Sequence, residues 1–75
     1  MENRNATYTS AAYQTKIRNR LHEVNVKNPK SQTQLAKVIG ISPATIHDFM
    51  VDGLDITYKS MCIIEKYLRE QEKGV

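Results

Sequence analysis

The side chains that could carry out catalysis are few and scattered along this 75-residue sequence. His22 and His47 fall in separate predicted helices, and neither has a carboxylate or thiolate partner at an obvious spacing. Cys62, the single cysteine, lies in an apolar run, where a free cysteine usually packs as a small hydrophobe. His47 and Asp48 are adjacent, and neighbouring residues on a helix point apart, so we expect no metal site there. The sequence therefore predicts a protein that is not an enzyme and binds no cofactor.

Another group of polar residues lies within residues 31–50, whose spacing predicts two short helices with almost no spacer. Ser31 and Gln34 form a capping-box pattern at the start of the first helix. Gly40 is the residue type that ends a helix at positive φ, and Ser42 followed by proline is a favourable start for the next helix. The stretch therefore predicts a helix-turn-helix.

Apolar residues at helical spacing predict which faces of these two helices turn inward. The inward residues are Leu35, Ala36, Ile39, Ile46, Phe49 and Met50. The residues that remain outward on the second helix are Pro43, Ala44, Thr45, His47 and Asp48.

This stretch resembles the helix-turn-helix of the lambda-repressor-like (Cro/C1-type, XRE-like) DNA-binding family. The matching residues are Gln32, Leu35, Ala36, Gly40, Ile41, Ser42, Ile46 and Phe49, and a looser resemblance continues to Leu68. The resemblance implies a small all-α domain of four or five helices that binds double-stranded DNA with the helix from Pro43 in the major groove. It implies a transcription regulator of phage type or bacterial origin, either a repressor or a Cro-like protein.

The resemblance also implies which residues contact DNA. By their chemistry, Pro43 and Ala44 can make only apolar contacts, for instance with a thymine methyl group. Asp48 can accept a hydrogen bond from a cytosine amino group, and His47 can donate to a phosphate or a base edge. The complete set of predicted DNA-binding residues is Lys30, Gln32, Ser42, Pro43, Ala44, Thr45, His47, Asp48, Thr57, Tyr58 and Lys59.

The distribution of charge leaves a second function open. Residues 1–30 carry six Lys/Arg and two acids, a net +4, whereas residues 31–75 carry five and six, a net −1. A basic segment beside the motif would attract phosphates, although each of these residues alone is also typical of a solvated helix face. Residues 42–58, however, carry three acids and no Lys or Arg. The alternatives are a protein-binding module on the same fold, such as a phage-encoded inhibitor or antirepressor, and a helical hairpin with no nucleic-acid partner.

The flanking segments predict the rest of one domain, residues 11–73, after a flexible arm, residues 1–10. Arg4 in this arm could enter a minor groove, or the arm could be a tail with no role. A first helix is expected from a cap at Thr9 or Ser10 to about Val24, with an inward stripe of Tyr13, Ile17, Leu21 and Val24. The connection after this helix is longer than is usual in the family, and Val26 is expected to supply its apolar contact.

The C-terminal half predicts two core residues and a last helix. Leu54 and Ile56 are expected to enter the core after a turn at Asp52-Gly53. The helix is expected to begin at the cap Thr57 and to run through Lys73, ended by Gly74. Its inward stripe is Met61, Ile64 and Leu68.

A second apolar stripe on this helix, Ile63 and Tyr67, is the basis for predicting a homodimer. A 75-residue monomer has difficulty burying both stripes, so we expect two copies to pair through Ile63 and Tyr67. One alternative is that the small core buries more of this helix. The other is a monomer in which Tyr67 lies flat on the domain surface and Ile63 contacts the arm. The single cysteine and the polar N-terminus, without a signal peptide or membrane span, predict a cytoplasmic protein.

Overall fold

Every helix in the described part of the chain, residues 10–73, begins at a hydroxyl residue that caps it. The computed structural model has four helices there: α1 (Ala11–Lys27), α2 (Gln32–Ile39), α3 (Pro43–Met50) and α4 (Tyr58–Lys73). Each capping oxygen accepts a hydrogen bond of 3.2–3.3 Å from the backbone N–H three residues on. The caps are Ser10, Ser31, Ser42 and Thr57. The predicted all-α class and these starts are confirmed, with Ser10 rather than Thr9 as the first cap.

The short connection between α2 and α3 depends on Gly40. Its φ is +98°, and its N–H donates to the carbonyl of Ala36 at 2.8 Å, which closes the last turn of α2. The next N–H, of Ile41, also reaches the Ala36 carbonyl, at 3.1 Å. Ser42 then caps α3, whose first residue is Pro43. The turn between the two helices is therefore only three residues long, as predicted.

The core lies where α1 packs on α4 and α3, and where α2 packs on α3 and α4. The predicted stripe of α1 is confirmed: Ile17 and Leu21 are fully buried, and Tyr13 and Val24 pack at the edge. Met50 is half-buried. The buried apolar residues are Ile17, Leu21, Leu35, Ala36, Ile39, Ile46, Phe49, Ile56, Met61, Ile64, Tyr67 and Leu68.

The first helix extends one turn beyond the predicted end, and this changes the role of Val26. α1 continues to Lys27, and Val26 is 78% exposed, so the prediction that it makes the missing apolar contact is wrong. The connection is instead held by the amide of Asn25, which accepts from the Lys30 N–H at 3.0 Å and donates to the Lys30 carbonyl at 3.4 Å. Two hydrogen bonds from the Asn25 side chain therefore stabilise the connection, a role that the sequence analysis assigned to Val26.

The connection between α3 and α4 buries one of its two predicted core residues. Ile56 is 5% exposed, as predicted, but Leu54 is 52% exposed and the prediction for it is wrong. The backbone explains this, because the Leu54 N–H donates to the Asp48 carbonyl at 2.9 Å and the Leu54 carbonyl accepts from Arg18 at 3.2 Å. These bonds fix the backbone of Leu54 with its side chain half in solvent.

The second apolar stripe of α4 is largely covered by the chain itself. Tyr67 is 8% exposed and belongs to the core, and Ile63 is half-buried and packs against it. The argument that one chain cannot bury both stripes is therefore wrong for Tyr67, because a core of short helices surrounds more of α4 than one narrow stripe. Burial in a low-dielectric environment also raises the pKa of the Tyr67 hydroxyl.

Two predicted features lie outside the described residues. These are the arm with Arg4, of which only Ser10 is described, and the glycine at position 74. Within residues 10–73, none of the helices has the length and apolar character that crossing a membrane requires.

Candidate nucleic-acid interface

The surface of α3 offers the residues that the sequence assigned to a DNA groove. Pro43, Ala44 and His47 are exposed, and Thr45 and Asp48 are partly exposed. The opposite side of the helix is anchored by Ile46 and Phe49, both fully buried. A helix held this firmly on one side presents the other side in a fixed orientation, which recognition of base edges requires.

The hydroxyl groups at the start of α3 are already partly engaged. The Ser42 Oγ accepts from the Thr45 N–H at 3.2 Å and lies 2.8 Å from the Thr45 Oγ1. Because a hydroxyl has one donor and two acceptor sites, each of these side chains keeps capacity for a further partner. Ser42 can therefore cap the helix, and the hydroxyls of both Ser42 and Thr45 can still contact a phosphate or base.

The start of α2 carries two more of the predicted contacts. Gln32 is its first residue and is exposed, directly after the capping box formed by Ser31 and Gln34. Lys30 precedes the cap, and its backbone N–H and carbonyl are both hydrogen-bonded to the Asn25 amide. A cation next to the free N–H groups of a helix start is a favourable arrangement for a phosphate.

The structure brings the outward side of α3 next to the start of α4. Thr45 and Asp48 share a surface depression of about 210 Å³ with Thr57, the cap of α4, and with Ser60. The neighbours of Thr57, Tyr58 and Lys59, are exposed. The residues of α3 predicted to face the DNA groove and the residue Thr57, predicted to contact the DNA backbone, therefore lie at one depression.

The C-terminal end of α3 is acidic, and here one expectation from the sequence is wrong. The His47 Nδ1 lies 4.0 Å from an Asp48 oxygen and 3.5 Å from an Asp52 oxygen, so these adjacent residues do not point apart. One ligand atom from each of the three lies within 4.8 Å of the others. All three side chains are about half exposed, and exposed acidic groups of this kind are common without a metal ion.

Two arginines of the basic N-terminal segment are engaged in packing the domain. Arg18 is stacked over the Phe49 ring, with its guanidinium carbon 4.5 Å from the ring centre. Its Nε donates to the Phe49 carbonyl at 2.5 Å, and its side chain is only 15% exposed. Arg20 binds both carboxylate oxygens of Glu72, at 2.6 and 3.0 Å. Neither arginine is therefore available to phosphates as the charge count suggested.

Several structurally important polar residues carry no signal in the sequence. Gln14 is completely buried, and its amide donates to the Ile56 carbonyl at 2.8 Å and accepts from the Ile56 N–H at 3.0 Å. Tyr13 donates to the Glu65 carboxylate at 2.5 Å. This hydrogen bond is the main cause that raises the pKa of Tyr13 to about 12 and lowers the pKa of Glu65. Their partners lie 42 and 52 residues away, so no local pattern could have identified them.

A second depression, of about 300 Å³, lies between α2 and α4. It is lined by the two predicted dimer residues, Ile63 and Tyr67, together with Val38 of α2, which is 51% exposed. Lys66 and Glu70 line the same depression. Val38 was not among the predicted interface residues. A valine outside the inward stripe of a short amphipathic helix was the signal that could have identified it.

Comparisons with protein-family models, curated proteins and solved structures found no match to this chain.

Proposed function

We propose that this protein is a sequence-specific regulator of transcription that binds double-stranded DNA through α3. In this proposal it is a cytoplasmic repressor or Cro-like switch protein of phage or bacterial type, with a lambda-repressor-like fold. The observation that carries the proposal is the junction of α2 and α3. Two eight-residue helices are joined by a three-residue turn at a left-handed glycine, and the outward side of the second helix is free of core contacts.

The proposed roles follow from the chemistry of each exposed group. Ala44 and Pro43 make apolar contacts in the groove, and His47 and Asp48 supply a donor and an acceptor to base edges. Phosphate contacts come from Lys59 beside the start of α4 and from the residues around the start of α2. The remaining phosphate contacts are assigned to Lys30, Gln32, Ser42, Thr45, Thr57 and Tyr58.

Pairing of two copies is part of this proposal. The depression between α2 and α4 offers Val38 and the exposed part of Ile63 as apolar contacts. Lys66 and Glu70 at the same depression carry opposite charges, so a two-fold arrangement can oppose unlike charges. A symmetric pair would present two α3 helices to neighbouring half-sites, roughly 34 Å apart on one face of the duplex.

A protein-binding module on the same fold is the second candidate. Asp48, Asp52 and Asp55 favour it, because their side chains are 47–51% exposed around the end of α3, where they would repel phosphates. In this alternative the protein is a phage-encoded inhibitor or antirepressor, and α3 contacts a protein.

The salt dependence of binding to a mixed-sequence duplex separates the two candidates. A DNA-binding protein releases counterions, so the logarithm of affinity should fall linearly with the logarithm of salt concentration, by about 0.9 for each phosphate contacted. Lys59→Ala should lower that slope by about one and leave base preference unchanged. Lys73→Ala, at the far end of α4, is the matched control. Absence of duplex binding at low salt would reject the DNA proposal and favour the protein-binding alternative.

A further inference from the structure

The connection between α3 and α4, together with the first residue of α4, exposes three large apolar side chains. Val51, Leu54 and Tyr58 are 58%, 52% and 52% exposed. The other exposed large apolar residues among those described are Val26 and Val38, in the first two helices. Exposed apolar groups close together in the chain, and rimmed by polar groups, are typical of an interaction surface.

Leu54 is held in this exposed position. Its N–H is bonded to the Asp48 carbonyl and its carbonyl to Arg18, while Ile56 beyond it is anchored to the buried amide of Gln14. The backbone of Leu54 is therefore already ordered in the free protein. A residue with an ordered backbone loses less entropy on binding than a mobile one, as expected of an anchor for a partner.

The charge around Leu54 indicates what kind of partner fits. Leu54, Asp48 and Asp55 line the same depression of about 210 Å³. The nearest cation, Arg18, lies 3.8 Å from the Asp55 carboxylate and also donates to two backbone carbonyls, and the His47 Nδ1 lies 4.0 Å from an Asp48 oxygen. Neither Arg18 nor His47 lines the depression.

We propose that this surface docks a basic, apolar segment of another protein, with a lysine or arginine of that segment in the depression. The alkyl stem of the basic side chain packs on Leu54, and its charge lies near the Asp48 and Asp55 carboxylates. The two carboxylates favour a basic segment over an acidic one at this depression.

This docking has a regulatory consequence that rests on the proposed function. The depression also contains Thr45, which that proposal assigns to DNA together with Asp48. A bound basic segment would therefore cover part of the DNA-binding surface, and the partner and the duplex would exclude each other. The docking itself does not require DNA binding, so the two proposals can fail separately.

The test uses the full-length chain labelled with nitrogen-15 and a peptide of alternating lysine and leucine. Without DNA, we expect the largest amide shifts between residues 45 and 60, and none with a glutamate–leucine peptide. Leu54→Asn should weaken peptide binding about tenfold. Val26→Asn, which changes a still more exposed apolar residue on α1, should leave peptide binding unchanged.

A second pair of variants isolates the charge. Asp48→Asn with Asp55→Asn should weaken binding and reduce its salt dependence. Glu23→Gln with Glu72→Gln removes the same total charge elsewhere and should leave the peptide at the same site. The proposal would be overturned by equal effects of the two charge pairs, by shifts spread over all acidic surfaces, or by parent-like binding to Leu54→Asn. Failure of the peptide to bind at low salt would also overturn it.

Discussion

Gly40 is the residue on which the junction of α2 and α3 depends most directly. Its φ of +98° is costly for any residue with a Cβ, and nothing lies within 4 Å of where that Cβ would stand. We therefore expect Gly40→Val to lower the free energy of unfolding by about 1 to 2 kcal/mol through backbone strain alone. Urea unfolding measures the change. Gly40→Asn should lose clearly less, because asparagine tolerates this region, and equal losses would contradict the strain explanation.

Gln14 is the buried polar residue whose removal should cost most. Gln14→Leu keeps the volume but leaves the N–H and carbonyl of Ile56 without partners, in a residue only 5% exposed. We expect a loss of about 2 kcal/mol or more, since each unpaired buried group costs about 1 to 3 kcal/mol. Gln32→Leu, at an exposed position, is the control and should change stability by less than about 0.5 kcal/mol. A Gln14→Leu protein as stable as the parent would show that water satisfies Ile56.

At the scale of single residues, the sequence predicts what depends on near neighbours. Ser31, Gln34, Gly40 and Ser42 act within four residues of themselves, and their geometry agrees with the prediction. Arg18 could not be assigned, because its guanidinium bonds depend on carbonyls 31 and 36 residues away. A hydrogen bond between residues far apart in the chain cannot be predicted from the spacing of neighbouring residues.

At the scale of elements, α1 and α4 are joined along their length by polar contacts outside the core. Tyr13 binds Glu65, Glu65 binds Arg69 at 3.1 Å, and Arg20 binds Glu72. The hydrogen bond from Tyr13 lowers the pKa of Glu65, and that from Arg20 lowers the pKa of Glu72, both below 4.5. Tyr13 has its pKa raised from 10.0 to about 12, chiefly by its bond to Glu65.

These shifts predict loss of the α1–α4 contact at both ends of the pH range. Carboxyl groups with a lowered folded pKa contribute stability that is present above pH 4.5 and is lost as pH falls through the lowered values. Tyr13 contributes stability that is present below pH 10.0 and is lost as pH rises towards about 12. The difference in unfolding free energy between the parent and Tyr13→Phe should therefore be largest near neutral pH. Denaturant unfolding at several pH values measures it, and a difference independent of pH would contradict the assignment.

Element boundaries were predictable where a cap marks them and not elsewhere. All four helix starts have a serine or threonine cap, and the end of α2 has a glycine. The end of α1 has neither. The helix continues to Lys27, the Asn28 N–H donates to the Val24 carbonyl, and the side chain of Asn25, within α1, bonds the backbone of Lys30 beyond the helix. The placement of Leu54 was unpredictable for a similar reason, since Arg18 and the Asp48 carbonyl hold its backbone.

At the scale of the whole molecule, the proposed homodimer can be tested without disturbing the core. Val38 is 51% exposed and lines the depression with Ile63, so Val38→Lys should prevent pairing while the domain stays folded. Sedimentation at micromolar concentration should give the parent a mass above the 8.6 kDa of one chain, and the variant a monomer mass. Val26→Lys is the matched control and should sediment like the parent. A monomeric parent would rule out a stable free dimer at that concentration.

The global arrangement could be predicted only as far as the core. The stripe of α1, the paired short helices and the stripe of α4 with Met61, Ile64 and Leu68 are all buried together. The periodicity of apolar residues does not show how much of each helix a small core covers. For this reason it predicts Tyr67 at a dimer interface, although Tyr67 lies in the core of one chain. The composite surface of α2 and α4 depends on both helices and is visible only once they are packed.

The central proposal is that α3 reads DNA, and Ala44 gives the most direct test of it. A duplex is first selected from a random pool with the parent protein, and its affinity is then measured for the parent and for Ala44→Glu. Ala44 is exposed, so the variant should stay folded, as checked by circular dichroism, and should lose about tenfold or more in affinity for the selected duplex. Ala12→Glu adds the same charge on the exposed side of α1 and should bind nearly as the parent does. A folded Ala44→Glu protein that binds the selected duplex as tightly as the parent would contradict the assignment of α3 to the groove.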